Sequence, residues 1–352
     1  MNRKRTILPV KISPGTKLND PPPPIDVLFV VAPHSLLLDI AGPAEAFRLV
    51  NTRHAEQGKG PHFRLRFAGA AASAPTSVGL PIALEPLPDA FATTTWVVLV
   101  GQPTVHVTRT TPEVIAISHW LSRVMRPRLV APDSADRLLT ICSGTLLAAR
   151  SGLLNGRSCT THHHMLELLK SSAPRVSVVS NRVFVVDGRV ASTAGITAGI
   201  DLALHLIAEE CGEAMAVNVA EDMVVYLRRS TRDTELSPYL RHRRHSAAAV
   251  HRVQEAICAA PEREWSMPTM ASIGHVTERH LLRLFVQHCG VSPLDFLRSI
   301  RLERARQLIE RGASVAQAAE TSGYSSSLHL RRAWKRQWGG SPRSAQPRRS
   351  VP

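Results

Sequence analysis

The chain has 352 residues with 43 Lys+Arg against 28 Asp+Glu, a net charge of +15. That length gives room for two domains with separate cores, and no run of about eighteen apolar residues is present to span a membrane. Five cysteines (Cys142, Cys159, Cys211, Cys258 and Cys289), odd in number and without CxxC pairing, fit a reduced, cytoplasmic compartment most simply.

Residues 1–24, MNRKRTILPVKISPGTKLNDPPPP, carry five Lys+Arg and one Asp+Glu and close on four prolines. They are too polar for the apolar stretch of a signal peptide and read as a disordered basic tail. From Ile25 the pattern changes to alternating β and α elements. IDVLFVVA is a predicted strand, Ala44 to Asn51 a helix, FRLRFAGA a strand, and TWVVLVG a continuous apolar strand. A helix around Glu113 to Met125 follows, then the strand RLLTIC and a helix from Thr145 to Ser151. Short strands near Val176 to Val179 and Val183 to Val186 precede a helix from Ile196 that presents Ile196, Ile200, Ala203, Leu204 and Ile207 on one face. Continuous apolar strands alternating with helices imply a parallel sheet covered on both faces, a three-layer α/β sandwich over residues 25–228.

Within this region LLTICSGTLLAARSGLL runs an apolar strand straight into a helix with Cys142 at the bend and Gly144 after it. A side chain at such a turn projects from the carboxyl end of the sheet, and a helix N-terminus favours its thiolate, as in a nucleophile elbow. A small thiol filling a tight turn accounts for the same residue. His162 to His164 form an HHH run, but consecutive residues on a helix point in different directions, so no metal is expected there, and no cofactor elsewhere.

The net charge is unevenly placed. Residues 25–228 are neutral, whereas from 229 onward 21 Lys+Arg stand against 10 Asp+Glu. Attraction to nucleic acid therefore belongs to the C-terminal region and the tail. Residues 229–248, polar and basic, read as an interdomain linker. Residues 249–345 contain one unit twice: HLLRLFVQHCGVSP from His280 to Pro293 returns as HLRRAWKRQWGGSP from His329 to Pro342, an offset of 49. In the first copy Ser266 caps a helix from Met267 to about Ile273, Gly274 closes it with a positive φ, and Thr277 caps a second helix bearing Leu281, Leu284, Phe285 and His288. In the second copy Val315, Ala318 and Ala319 line a short helix that ends at Gly323. The Ser325 to Ser327 run then caps a helix bearing Leu330, Ala333, Trp334 and Gln337.

Pro293 to Arg311 fits one amphipathic helix holding the copies rigidly apart. This is a helix-turn-helix unit used twice. Two such units can enter successive major-groove segments about 34 Å apart. The candidate contacts to double-stranded DNA are Thr277, Glu278, Arg279, His280 and Arg283 in the first copy, and Ser326, Ser327, His329, Arg331, Arg332, Lys335 and Arg336 in the second. Residues 346–352 read as a second disordered tail.

These residues resemble the DNA-binding domain of AraC-family transcriptional regulators from Val250 to Ala345, with departures at Pro268, Ile273-Gly274 and Gly340. LLLDIAGPAEAF, CSG with LLAARSGLLNGRSCTTHH, and VVDGRVASTAGITAGIDLALHLI resemble the PfpI-like branch of the class I glutamine-amidotransferase superfamily. More narrowly, they resemble the regulators in which that fold precedes an AraC-type domain. The resemblance implies a flavodoxin-like effector-sensing domain, homodimerisation through it, RNA polymerase as partner if the regulator is an activator, and a place at the nucleoid.

Enzymes of the PfpI-like fold often have His directly after the elbow Cys, where this chain has Ser143, so no catalytic residue is expected. Relatives lacking that His, the isonitrile hydratases, pair the Cys with the Asp of an LD-x-x-GP motif, here Leu38, Asp39, Gly42 and Pro43. Catalysis by Asp39 and Cys142 therefore stands as the alternative, with a Cys142 redox sensor as a third reading. In the sensing reading Asp39, Gly42, Pro43, Cys142, Ser143 and His162 line an effector pocket at the carboxyl edge of the sheet.

Overall fold

The computed structural model describes residues 23–195, 197–225, 229–231, 242, 245–310 and 312–342. Most of the tail expected over 1–24, much of the linker expected over 229–248, the tail expected over 346–352, and Ile196 lie outside them. The chain divides into two compact units, one through Glu235 and one from Leu236.

The first unit is built on a seven-stranded sheet. Its strands are β1 (Ile25–Val30), β2 (Phe63–Gly69), β5 (Glu85–Pro86), β6 (Thr95–Leu99), β7 (Arg137–Ile141), β10 (Phe184–Asp187) and β11 (Val190–Thr193). Two small two-stranded sheets stand apart, β3 (Ser73–Pro75) with β4 (Pro81–Ala83) and β8 (Ser158–Cys159) with β9 (Ser177–Val178). The main order is β10-β11-β7-β6-β1-β2-β5, parallel throughout except for the antiparallel edge strand β10.

Alternation along β1 explains why its stretch from Val27 to Val30 is wholly apolar. Val27 and Phe29 enter one core with helices α1 (Leu37–Glu56), α7 (Ala198–Cys211) and α8 (Glu213–Asp222), while Leu28 and Val30 enter the other. That second core is covered by α2 (Thr104–Val107), α3 (Pro112–Trp120), a π-helical turn at Leu121–Met125, α4 (Arg126–Val130), α5 (Gly144–Arg150) and α6 (Leu166–Ser172). Each face buries its own side chains from Val27 onward, and the strand's one polar residue, Asp26, is buried in an ion pair with Arg64 at 2.6 Å.

Among the elements that depart from the sequence reading, two bear on the site. β11 was not expected, because Val190-Ala191-Ser192-Thr193 lacks an apolar alternation. Yet all four residues are buried, and Ser192 Oγ satisfies itself by accepting from Thr160 N–H at 2.9 Å. The Asp187-Gly188 step turns β10 into it, with Gly188 at φ +62. The second departure is α1, which starts at Leu37 and runs straight through Gly42 and Pro43. A Cβ on Gly42 would lie 2.8 Å from Ile200 Cγ1, and one on Gly199 would lie 3.1 Å from Pro43 Cγ. The Gly-Pro step is thus the contact at which α1 and α7 press together, and that packing offsets the hydrogen bond Pro43 cannot donate.

The second unit is helical: α9 (Ala248–Ala259), α10 (Met267–Gly274), α11 (Glu278–Cys289), α12 (Pro293–Glu310), α13 (Val315–Thr321) and α14 (Ser327–Trp338). It holds two cores. Val250, Val253, Ile257, Met270, Leu281 and Phe285 close on Phe296 and Ile300 of α12, and Leu330, Trp334 and Ala318 close on Leu302, Ala305 and Ile309 further along it. One helix therefore carries both units. On the same helix, interleaved with the residues of the second core, Glu303 and Arg306 are almost fully buried and form an ion pair at 2.6 Å that the amphipathic pattern gave no reason to expect.

Candidate functional site

At the carboxyl edge of the sheet three loops meet, the ends of β1, β6 and β7. Asp39 comes from the first turn of α1, Gly101 and Gln102 from the end of β6, and Cys142 from the end of β7. Cys142 has φ +53, a left-handed conformation that a residue with a Cβ seldom adopts without compensation. Its backbone is held from both sides: its N–H donates to Thr193 O at 3.2 Å, and its carbonyl accepts from Thr161 Oγ1 at 2.8 Å. The strand-to-helix elbow expected from the sequence is therefore present.

Asp39 is fully buried, with Oδ2 accepting from Gly101 N–H at 3.0 Å and Oδ1 lacking a hydrogen-bond partner among the described residues. Burial pushes its carboxyl up to about 7, against a smaller downward pull from the Gly101 bond. A methyl on Gly101 would stand 2.6 Å from Asp39 Oδ2 and 2.9 Å from Cys142 Cβ, so this glycine is the space in which the two side chains converge. The other expected members of the site are engaged differently. Ser143 Oγ accepts from Gln102 N–H at 2.7 Å and donates to Gln102 O at 2.8 Å, sealing one loop to another. Gly42 and Pro43 are buried in the α1–α7 contact. A cavity bordered by Ser143, Gln102, Val30 and Arg150 measures about 20 Å³, room for a single water rather than a metabolite.

His162 caps a 3₁₀ turn at His163–Met165, its Nδ1 accepting from His164 N–H at 3.3 Å. The HHH run is therefore a cap and a tight turn, and the rings gather instead of diverging as expected, with one ligating atom of each within 4.8 Å of the others. His162 and His163 stack at 4.2 Å with 29° between planes. A metal bound by imidazole lies near each ring plane about 2.0 Å from nitrogen, so rings stacked this way cannot share one ion unless one of them turns.

In the helical unit the two copies use the same devices. Thr277 Oγ1 accepts from His280 N–H and Ser326 Oγ from His329 N–H, each at 3.3 Å, so both hydroxyls cap the second helix of their unit. Gly274 does not take the positive φ expected of it: His275 does, at +54, while Gly274 stays helical. The reason is space, since a Cβ there would meet Val276, Leu281 and Val253 at 3.3–3.4 Å. In the second unit the left-handed position, 48 residues after His275, is held by Gly323 at φ +79.

Glu278, Arg279 and Arg283 are exposed on α11, as are His329, Arg331, Arg332, Lys335 and Arg336 on α14, while His280 and Ser327 are half-buried. Arg332 and Arg336 border a hollow of about 420 Å³ with Arg298, Asp295 and His329, a cationic recess suited to a phosphate. Leu282, Val286 and Leu328 stand exposed on these same helices and were not among the sequence candidates. Their position was the available signal: 279, 282, 283 and 286 follow the i, i+3, i+4, i+7 spacing of one helix face.

Residues 270–348 match the family described as Helix-turn-helix domain, and residues 127–209 match the DJ-1/PfpI family. The helical unit is thus similar to a helix-turn-helix domain and the α/β unit to the DJ-1/PfpI family. The DJ-1/PfpI match takes in Cys142, Ser143 and His162 and stops short of Asp39. Among curated proteins, the HTH-type transcriptional regulator CdhR of Pseudomonas aeruginosa PAO1 is 29% identical over 336 residues, covering 93% of this chain and 92% of that one. The HTH-type transcriptional regulator GbdR of Pseudomonas aeruginosa UCBPP-PA14 is 30% identical over 209 residues, 59% of this chain, and the chain spans 56% of GbdR. The HTH-type transcriptional regulator GlxA of Rhizobium meliloti is 33% identical over 221 residues, 60% of this chain and 65% of the relative. No helix among the described residues is long and apolar enough to cross a membrane.

Proposed function

We propose that this chain is a sequence-specific DNA-binding transcriptional regulator whose DJ-1/PfpI domain receives a small-molecule signal at the Asp39–Cys142 edge. The observation that carries the reading is the pair of capped helices α11 and α14, each with its exposed face turned away from a closed core and studded with arginine. The experiment is duplex binding followed over a range of salt concentrations. Binding should be sequence-selective and fall steeply with salt, and Arg332→Ala or Lys335→Ala should weaken it. Salt-insensitive or absent duplex binding sinks the proposal.

The regulator works as a homodimer through the α/β domain in the cytoplasm at the nucleoid, and contacts RNA polymerase if it activates. An effector must favour one arrangement of the DNA-reading units over another, so a ligand found by thermal-shift screening should change DNA affinity.

A second reading has an observation of its own. A carboxyl pushed up to about 7 beside a cysteine in a left-handed elbow is equipped to move a proton near neutral pH, as a hydratase or hydrolase would require. Turnover of small isonitriles or amides that disappears in Cys142→Ala and in Asp39→Asn favours it; stoichiometric binding without product removes it. Oxidant-dependent DNA affinity that survives in Cys142→Ser would likewise remove the redox reading.

A further inference from the structure

The outward face of α11 consists of Arg279, Leu282, Arg283 and Val286, all exposed, while Leu281 and Phe285 on the opposite side are fully buried in the first core. Leu282 is 43% exposed and Val286 54%. Two large aliphatic side chains one turn apart, flanked by two arginines, contribute nothing to the core beneath them. The corresponding face of α14, offset by 49, is Leu328, Arg331, Arg332 and Lys335. At the two positions where the first copy is aliphatic, the second is cationic.

In the major groove an aliphatic side chain has one complementary feature on a base edge, the C5-methyl group of thymine. Phosphates and guanine edges offer it only polar atoms, for which it has no donor. The flanking arginines give the same face the charge needed to be held against a polyanion, so its occupant is duplex DNA rather than an apolar protein surface.

We infer that Leu282 and Val286 are specificity-determining residues that read thymine methyl groups beneath the first helix-turn-helix unit, with Arg279 and Arg283 holding the helix in the groove. This inference rests on the DNA-binding reading above. The second unit has Arg331 and Lys335 at the equivalent positions and reads there through charge and hydrogen bonds instead, its one exposed aliphatic residue, Leu328, standing where the first unit has Arg279.

The test uses the full chain. A preferred duplex is selected from a random-sequence pool, and each thymine in it is replaced in turn by deoxyuridine, which removes the methyl and leaves base pairing intact. Affinity is then measured at fixed salt for the wild type, Leu282→Ala and Val286→Ala. The wild type should lose roughly three- to fivefold per contacted methyl, at one or two neighbouring positions. Each variant should lose that penalty at its own position and keep it at the other. Both residues are exposed, so the variants should melt with the wild type, and a melting check makes the comparison clean.

A defined site whose deoxyuridine forms all bind equally overturns the inference alone. So does a penalty that persists unchanged in both variants, or a selected site with only G·C pairs under the first unit. A pool that yields no preferred sequence overturns the regulator reading and this inference with it.

Discussion

The two helix-turn-helix units share a scaffold and differ in the chemistry they display. Both cap the second helix with a hydroxyl at the same point of the repeat, bury an aromatic residue four positions after a leucine (Leu281 and Phe285, Leu330 and Trp334), and close on α12. Their first helices are less alike. The caps Ser266 and Ser314 are 48 residues apart, while Thr277 and Ser326 are 49 apart, so the second unit has one more residue to accommodate before its second helix. The exposed faces differ most, with two aliphatic residues and two cations in α11 against one aliphatic residue, Leu328, and three cations in α14. Duplication has kept what folds and released what is exposed.

If the scaffolds are equivalent, removing the buried aromatic residue from either should cost alike. Phe285→Ala and Trp334→Ala should each destabilise the domain by about 3–5 kcal/mol in denaturant unfolding. A loss below about 1 kcal/mol for Trp334 alone would mean that the smaller second core adds little. The turn glycines should break the symmetry. Gly323 has φ +79 and its Cβ would lie 2.7 Å from Glu262 Cα, backbone that cannot swing aside, so Gly323→Ala should cost at least about 2 kcal/mol. Gly274 is helical with contacts of 3.3–3.4 Å, so Gly274→Ala sets a gain in helix propensity against tight packing and should stay within about 1 kcal/mol. Equal costs for the two would show that the turns are the same after all. Smaller again, Thr277→Ala and Ser326→Ala should each cost about 1 kcal/mol in thermal unfolding, and the two should add, because the caps belong to different cores.

The two regions of the chain were also unequally legible. The helix-turn-helix pattern repeats, so its caps, faces and linking helix could be read from apolar spacing and hydroxyl positions. What escaped there was Gly274, where the demand is for space rather than for a left-handed backbone, and the buried Glu303–Arg306 pair, which looks like surface charge in any periodic reading. In the α/β region β11 escaped because half of it is polar by residue type: Ser192 is buried with its hydroxyl accepting from Thr160 N–H, and Thr193 is buried beside it. The start of α1 escaped because Pro43 reads as a helix breaker until the α7 surface it packs on is known. The Cys142 elbow was legible from the abrupt strand-to-helix junction. The convergence of Asp39 on it was not, since residues about a hundred positions apart meet only through Gly101, whose missing Cβ leaves the room.

The smallest of these effects bears most directly on the difference between the faces. Each cation that neutralises a phosphate contributes about 0.9 to the slope of log affinity against log salt. Lys335→Ala should lower that slope by about 0.9 if the lysine meets a phosphate, with a loss of affinity that shrinks as salt rises. The reciprocal change gives the first unit the chemistry of the second: Val286→Lys should raise the slope by about the same amount and abolish the deoxyuridine penalty at the Val286 position. A slope that rises while the thymine preference survives would separate charge from methyl recognition at that position, and would place Val286 beside the backbone rather than over a base. A slope unchanged by either substitution would put both side chains outside the groove, leaving the conserved scaffold without the functional divergence its two faces display.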